Sequence, residues 1–411
     1  MGTGDAREAR WDAAWYAGFA VVGLAVGLLD EAPLARNWGL IASVTYSGGA
    51  IVSLTWSTVS LRRRTLVALA AFAGAALLPL GLELWWRAEN GLGTHAKSET
   101  VVTEESARVV LEGGDPYAAD YSDGPLARFP PGVDAHVPYL PGNLVFGLGR
   151  PLLGDGVAGD ARIGFAVVFI GTVAAALRLS RAPSGEQLRA FMVVVVSPLG
   201  ARYVVGGGND LPVLGGMLLA LVLVERRRPA GAGLAAGLAA AVKLTAWPLL
   251  PFLVVAARDR AGRFTRARTG TIAATVIAVA VVPFLLVNPA TMIEDVVLYP
   301  LGLTAGGTPA SSPTLGGLLA RLIPDAKDAV AVSAGVVVGV ITLWLLVRRP
   351  PRSARDAARA TALVLLAATV LATAGRFGYL VYAMDLWLWS IWILRDDPPI
   401  PGREGVVPAR K

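Results

Sequence analysis

The chain has 411 residues, of which 55% are hydrophobic and only 16% charged, with a mean hydropathy of +0.58. So apolar a composition excludes an ordinary water-soluble domain and points to the bilayer as solvent. The formal charge of +7 does not indicate nucleic acid, because the basic residues are placed as membrane anchors, and the lack of cysteine excludes disulfides and thiolate metal sites.

Apolar runs suited to ~30 Å of hydrocarbon recur along the chain, bounded by charge or by Pro and Gly. In order, the expected spans are Trp15 to Leu29, Trp38 to Val59, Leu66 to Trp85, Ile163 to Leu179, Leu188 to Val205 and Leu211 to Val224. Gly231 to Val242, Leu244 to Ala257, Thr271 to Val287, Val330 to Val347, Ala358 to Ala374 and Tyr379 to Leu394 complete about twelve. The first has a basic flank like a signal sequence, but the spans that follow make it a retained helix. The pair flanking Lys243 is short and reads as two half-helices or one kinked element. Gly233 with Gly237, and Gly335 with Gly339, have the spacing that lets helices pack closely.

With the N-terminus in the cytoplasm, 25 of the 37 Lys and Arg fall on the inner side, notably in Arg62 to Arg64, Arg226 to Arg228, Arg258 to Arg268 and Arg348 to Arg359. The other 12 face outward beside 19 acids. That asymmetry puts both termini, including a tail over 395–411, in the cytoplasm of a single multi-pass plasma-membrane domain. The one large hydrophilic piece, 87–160, is then extracytoplasmic. Within it Thr100 to Glu112 reads as a short amphipathic helix closed by Gly113-Gly114, Asp115-Pro116-Tyr117 as a turn, and Leu140 to Leu153 as interfacial or re-entrant. A second outer loop, 288–327, carries Glu294, Asp295 and Tyr299.

The cytoplasmic loops are short and hold no phosphate-binding glycine motif, so an activated substrate would arrive dissolved in the lipid. Chemistry at the outer face then needs a carboxylate base and cations for a departing phosphate. Glu99, beside Lys97, is a candidate base or a solvated loop acid. Glu104 and Glu105 read as a wet helix face. Lys243, between two apolar stretches, calls for an anionic partner, while Arg202 and Arg376 near outer helix ends suit phosphate or anchoring. Asn209 and Asp210 precede Pro212 and read as a helix cap that can also bind a sugar hydroxyl. Asp385, the one acid inside a span, calls for a partner. His95 and His136 do not by themselves indicate a metal. Trp387, Trp389 and Trp392 suggest an interfacial or packing belt.

Four strings in order, ETVVTEESARVVLEGGDPY from Glu99, PYLPG, GGGNDLPVLGGMLLALVLVERRR and GLAAAVKLTAWPLLPFL, carry a resemblance over residues 66 to 260. The chain resembles polyprenol-phosphate-mannose-dependent glycosyltransferases of family 87, in the GT-C superfamily. The resemblance implies an all-α polytopic GT-C bundle with a large first extracytoplasmic loop. It implies inverting transfer of a hexose, mannose above all, from a polyprenyl-phosphate donor to a cell-envelope glycolipid or glycan. No cofactor is implied, and a metal requirement stays open. Glu99 stands where the family has its loop acid, fourteen residues before Gly113; Asp is commoner there, and Glu104 and Glu105 remain alternatives. Lys243, Arg202 and Arg376 would hold the donor phosphate, and Asp115, Tyr117, His136, Tyr139, Asn209 and Asp210 the substrates. The rival readings are a transporter or flippase with broken helices in two matching halves, where the sequence offers one break at Lys243, and an envelope assembly factor without chemistry.

Overall fold

The computed structural model describes residues 3–55, 60–129, 132–133, 136–258, 263–304, 308, 310 and 312–395. Of the expected tail, only Arg395 is among them. Helices α1 (Thr3–Leu29) and α2 (Pro33–Thr55) form a hairpin, and a Cβ on Gly39 would lie 2.3 Å from the Gly27 nitrogen. Only glycine permits that approach. Helix α3 (Leu61–Phe72) continues through a π turn into α4 (Leu78–Asn90). The stretch from Gly91 to Asp160 holds α5 (Ser98–Leu111), α6 (Leu144–Gly147) and α7 (Gly149–Leu153). The last two are too short to cross a bilayer.

There follow α8 (Ala161–Leu179), α9 (Ser184–Phe191), α10 (Pro198–Gly206), α11 (Asp210–Glu225), α12 (Pro229–Val242) and α13 (Leu249–Ala256). The rest comprises α14 (Arg266–Val287), α15 (Pro289–Ile293), α16 (Leu315–Leu322), α17 (Lys327–Arg348), α18 (Ala354–Leu371) and α19 (Leu380–Trp392). Among the described residues the only β pairing is an isolated bridge, Arg258 with Phe264. Five helical stretches are long and apolar enough to cross a membrane: Arg7–Leu29, Leu61–Asn90, Ala161–Leu179, Arg266–Val287 and Pro324–Arg348. A sixth arises if the pair Ser184–Val196 and Pro198–Gly206 is one span, bent by 44°. The other segments expected to span fall on shorter or less apolar helices.

Burial separates two kinds of helix. Helix α11 is buried along nearly its whole length, packed by α8 and α12, as a helix apolar all round must be in a core. Helices α14 and α17 instead expose Val279, Leu286, Val336, Val340 and Leu343. Backbone groups are satisfied inside each helix, so such faces suit lipid. Gly233 and Gly237 face α14, where a Cβ would meet the Thr269 oxygen at 2.5 Å and Ala273 at 3.0 Å. Gly335 and Gly339 have no atom within 4 Å of an added Cβ and pack against nothing described, contrary to expectation.

The single expected helix break is also corrected. α12 ends at Lys243, where the backbone is extended, and a second break lies at Ser197, also extended, ahead of Pro198. Proline disfavours the helical region for its predecessor, and Ser197 takes the extended alternative, so the Val run ends there. Only α10 to α12 separate the two breaks, so they do not fall at corresponding positions of two halves of the chain.

Candidate active site

The site is assembled around a glycine turn. Helix α10 ends in Gly206-Gly207-Gly208, and Gly207 adopts φ +79°. A Cβ there would stand 2.0 Å from Thr100 Oγ1, and one on Gly206 would stand 2.9 Å from Lys97 Cε. The bare backbone therefore lets the start of α5 dock directly on the turn between α10 and α11, with the Lys97 N–H donating to the Gly206 oxygen at 3.3 Å. Gly207→Ala meets both a clash and an unfavourable φ, so a loss of at least ~1–3 kcal/mol in stability is expected, read by thermal unfolding, together with reduced activity. Parent-like stability would show that this contact is dispensable.

The other side of α5 is clamped by buried charge. Arg87 donates to Glu104 at 2.9 and 2.7 Å and to Asp160 at 2.6 Å, while Arg162 donates to Asp160 at 2.9 and 2.8 Å. Arg150 also reaches Glu104, at 3.3 Å. Burial pushes the Asp160 carboxyl up, but Arg162 and Arg87 outweigh it and hold it well below the ordinary carboxylate range. This contribution to stability is present above the unfolded value, ~3.9, and is lost only in strong acid. Glu104 is fully buried and Glu105 nearly so, which corrects the expected wet face of this helix. Glu104 is a structural anion, with both oxygens already committed.

Next to the α5 start lies a cavity of about 150 Å³, lined among others by Glu99, Tyr139, Lys243, Tyr299, Arg376 and Tyr379. The Lys243 ammonium donates to Asp210 Oδ1 at 2.7 Å and Asn209 Oδ1 at 3.0 Å, with the Tyr139 and Tyr379 rings each 5.4 Å away. The Tyr382 hydroxyl donates to the same Asp210 oxygen at 2.7 Å and accepts from Thr245 Oγ1 at 2.9 Å. The expected capping role is therefore corrected: Asn209 stands at the N-cap of α11 without a side-chain cap bond, and both side chains serve Lys243. Glu99 Oε1 accepts from Arg376 Nη1 at 3.2 Å, whereas the buried Glu99 Oε2 has no hydrogen-bond partner among the described residues.

A cation not singled out from sequence completes the set. The half-buried Lys97 holds its ammonium 4.3 Å above the Tyr203 ring, and among the described residues it has no ion-pair or hydrogen-bond partner. Burial lowers its pKa; Arg202 and Arg376 act in the same direction, against Glu99 and Asp210. Its neighbour Glu99 drew the eye, but local sequence gives no sign that Lys97 lacks a counter-ion.

The remaining expected residues lie around the cavity. Arg202 pairs with Asp30 at 2.7 Å, outside the lining. Asp115 accepts from the Tyr117 N–H at 3.0 Å, and the Tyr117 hydroxyl donates to the Tyr139 oxygen at 2.9 Å, so both support Tyr139 from behind. His136 Nδ1 lies 2.6 Å from Asp295 Oδ1, and its ring stacks on Tyr299 at 4.3 Å. Burial raises the Asp295 carboxyl despite the Val137 N–H and His136. His95 sits by Glu83, 2.8 Å away. Neither oxygen of the buried Asp385 has a hydrogen-bond partner, where one was expected. Among the described residues no three of His, Cys, Asp and Glu group as metal ligands.

Residues 144–374, more than half of the chain, match the sequence profile of glycosyltransferase family 87. Glu99, Lys97 and Arg376 lie outside that match. No curated protein and no solved structure matches.

Proposed function

The chain belongs to glycosyltransferase family 87, and from that premise we propose that this membrane glycosyltransferase moves a hexose, mannose first among the candidates, from a polyprenyl-phosphate donor to an envelope glycolipid or glycan. The observation that carries the reading is the Glu99 carboxylate. One oxygen is held by Arg376, the other is buried without a partner among the described residues, and the residue lines a cavity. A buried acceptor without a donor is costly, and a substrate hydroxyl supplies that donor.

In the mechanism, the Glu99 oxygen takes the hydroxyl proton as the acceptor oxygen attacks the anomeric carbon from the face opposite the phosphate. The new C–O bond forms while the bond to phosphate breaks, and polyprenyl phosphate leaves with the electron pair, inverting the centre. Arg376, with five N–H donors, can hold Glu99 and a phosphate oxygen together. Lys243, compensated by Asp210, fixes the shape of the cavity wall beside Glu99. Purified protein given labelled polyprenyl-phosphate mannose and a membrane acceptor should transfer the sugar. Transfer from a nucleotide sugar alone would overturn the donor assignment, and substrate translocation without transfer would favour a flippase.

The reading also puts the site on the extracytoplasmic face, with both termini inside. Because the chain has no cysteine, Glu112→Cys and Phe264→Cys give clean topology probes at exposed positions. An impermeant maleimide should label the first in intact cells and the second only after permeabilisation. The reverse pattern would invert the orientation.

A further inference from the structure

An apolar groove of about 540 Å³ runs between α1, α10 and α19, lined among others by Trp15, Gly18, Val22, Leu199 and Leu388. Arg202 is the only charged residue in its lining. A second cavity of about 500 Å³ shares Trp11, Trp15 and Val193 with it but is lined by Arg7, Glu8, Asp12 and Arg189, so the apolar lining ends there. From Trp11 to Val26, α1 rises ~23 Å, most of a hydrocarbon core. An apolar channel of that length with one cation at its end has the polarity of a long hydrocarbon chain bearing an anionic head.

We propose that this groove holds the isoprenoid chain of the donor, and that Lys97 together with Arg202 takes its phosphate. The assignment rests on the glycosyltransferase reading and adds to it the path of the lipid and a phosphate ligand. Among the described residues Lys97 has no direct ion-pair partner, whereas Lys243 pairs with Asp210 and Arg202 with Asp30. Lys97 lies two residues before Glu99 at the start of the same helix, so a phosphate held there presents its sugar toward the Glu99 oxygen. Electrostatics agree: Arg202 and Arg376 are both near enough to repel the Lys97 charge, and an anion arriving among the three relieves that repulsion. The comparable apolar cavity between α2 and α3, about 360 Å³, has no charged residue in its lining and serves as the internal contrast.

Native mass spectrometry of the detergent-purified full chain, titrated with undecaprenyl phosphate, undecaprenol and inorganic phosphate, tests the assignment. Gly18 and Gly48 each have open space at an added Cβ, so a large side chain fits without disturbing the protein. Gly18→Trp fills the proposed groove and should weaken undecaprenyl phosphate binding about tenfold or more, while Gly48→Trp, in the contrast cavity, keeps the parent affinity. Lys97→Met should weaken undecaprenyl phosphate about 10–100-fold with undecaprenol unchanged, and Lys97→Arg should recover part of the loss. Inorganic phosphate should bind far more weakly than the lipid and be indifferent to Gly18→Trp; equal affinities would identify a free-phosphate site and overturn the lipid assignment. If the parent transfers sugar from the polyprenyl donor but neither Gly18→Trp nor Lys97→Met alters lipid phosphate binding, the groove assignment fails and the glycosyltransferase reading stands. If the parent neither binds undecaprenyl phosphate nor uses the lipid donor, both fall.

Discussion

Glu99→Gln should lower turnover by about 10²–10⁴-fold, the usual contribution of a positioned general base, while donor affinity stays near that of the parent. The amide keeps the size of the side chain and can still accept from Arg376 through its oxygen, but it cannot take a hydroxyl proton. Glu112→Gln is the suitable control, because Glu112 caps the same helix and is exposed. Glu104 cannot serve, since its removal would leave Arg87 and Arg150 short of a buried counter-ion. Transfer of labelled sugar by the purified variants decides the matter. A Glu99→Gln protein that turns over at the parent rate would move the base elsewhere, with Asp295, joined to the cavity-lining Tyr299 through His136, as the next acid to test.

Lys243→Met should destabilise the protein by about 3–5 kcal/mol, because it strands the Asp210 carboxylate in a buried setting with only Tyr382 left to donate. A Lys243 that did no more than touch a donor phosphate would instead cost ~1.5–3 kcal/mol of donor affinity. The distinction can be read in a double variant. Asp210→Asn combined with Lys243→Met removes both charges and should regain most of the lost thermal stability, whereas a phosphate ligand lost alone would leave stability untouched and raise only the donor KM. If the single Lys243→Met variant unfolds like the parent, the pair with Asp210 is not holding the break at the end of α12.

The helices were legible because span length and basic anchors are local properties, readable from one stretch at a time. The second break was also written locally, in Ser197-Pro198 after a run of valines, yet a run that apolar passes for a continuous span. The site was legible as a set of residue types and not as a set of pairings. Glu99, Tyr139, Asn209, Asp210, Lys243 and Arg376 do converge, but which cation is spent on which acid depends on contacts across long stretches of chain. Arg376 meets Glu99 over 277 residues and Lys243 meets Asp210 over 33. Periodicity suggested a wet face for Glu104 because nothing near it in sequence announces Arg87 on one side and Arg150 on the other.

The buried charge cluster also bears on how the chain is made. Its three guanidinium groups and two carboxylates all belong to one continuous stretch, from Arg87 to Arg162. None can be left bare in a dry interior, so the cluster closes as a unit, and every member has emerged once the first turn of α8 has been synthesised. This stretch can therefore mature as an early cooperative folding block, ahead of α11 to α19. The later helices then insert beside a finished surface that already holds Lys97 and Glu99, and Asp210, Lys243 and Arg376 are delivered to it in that order of synthesis.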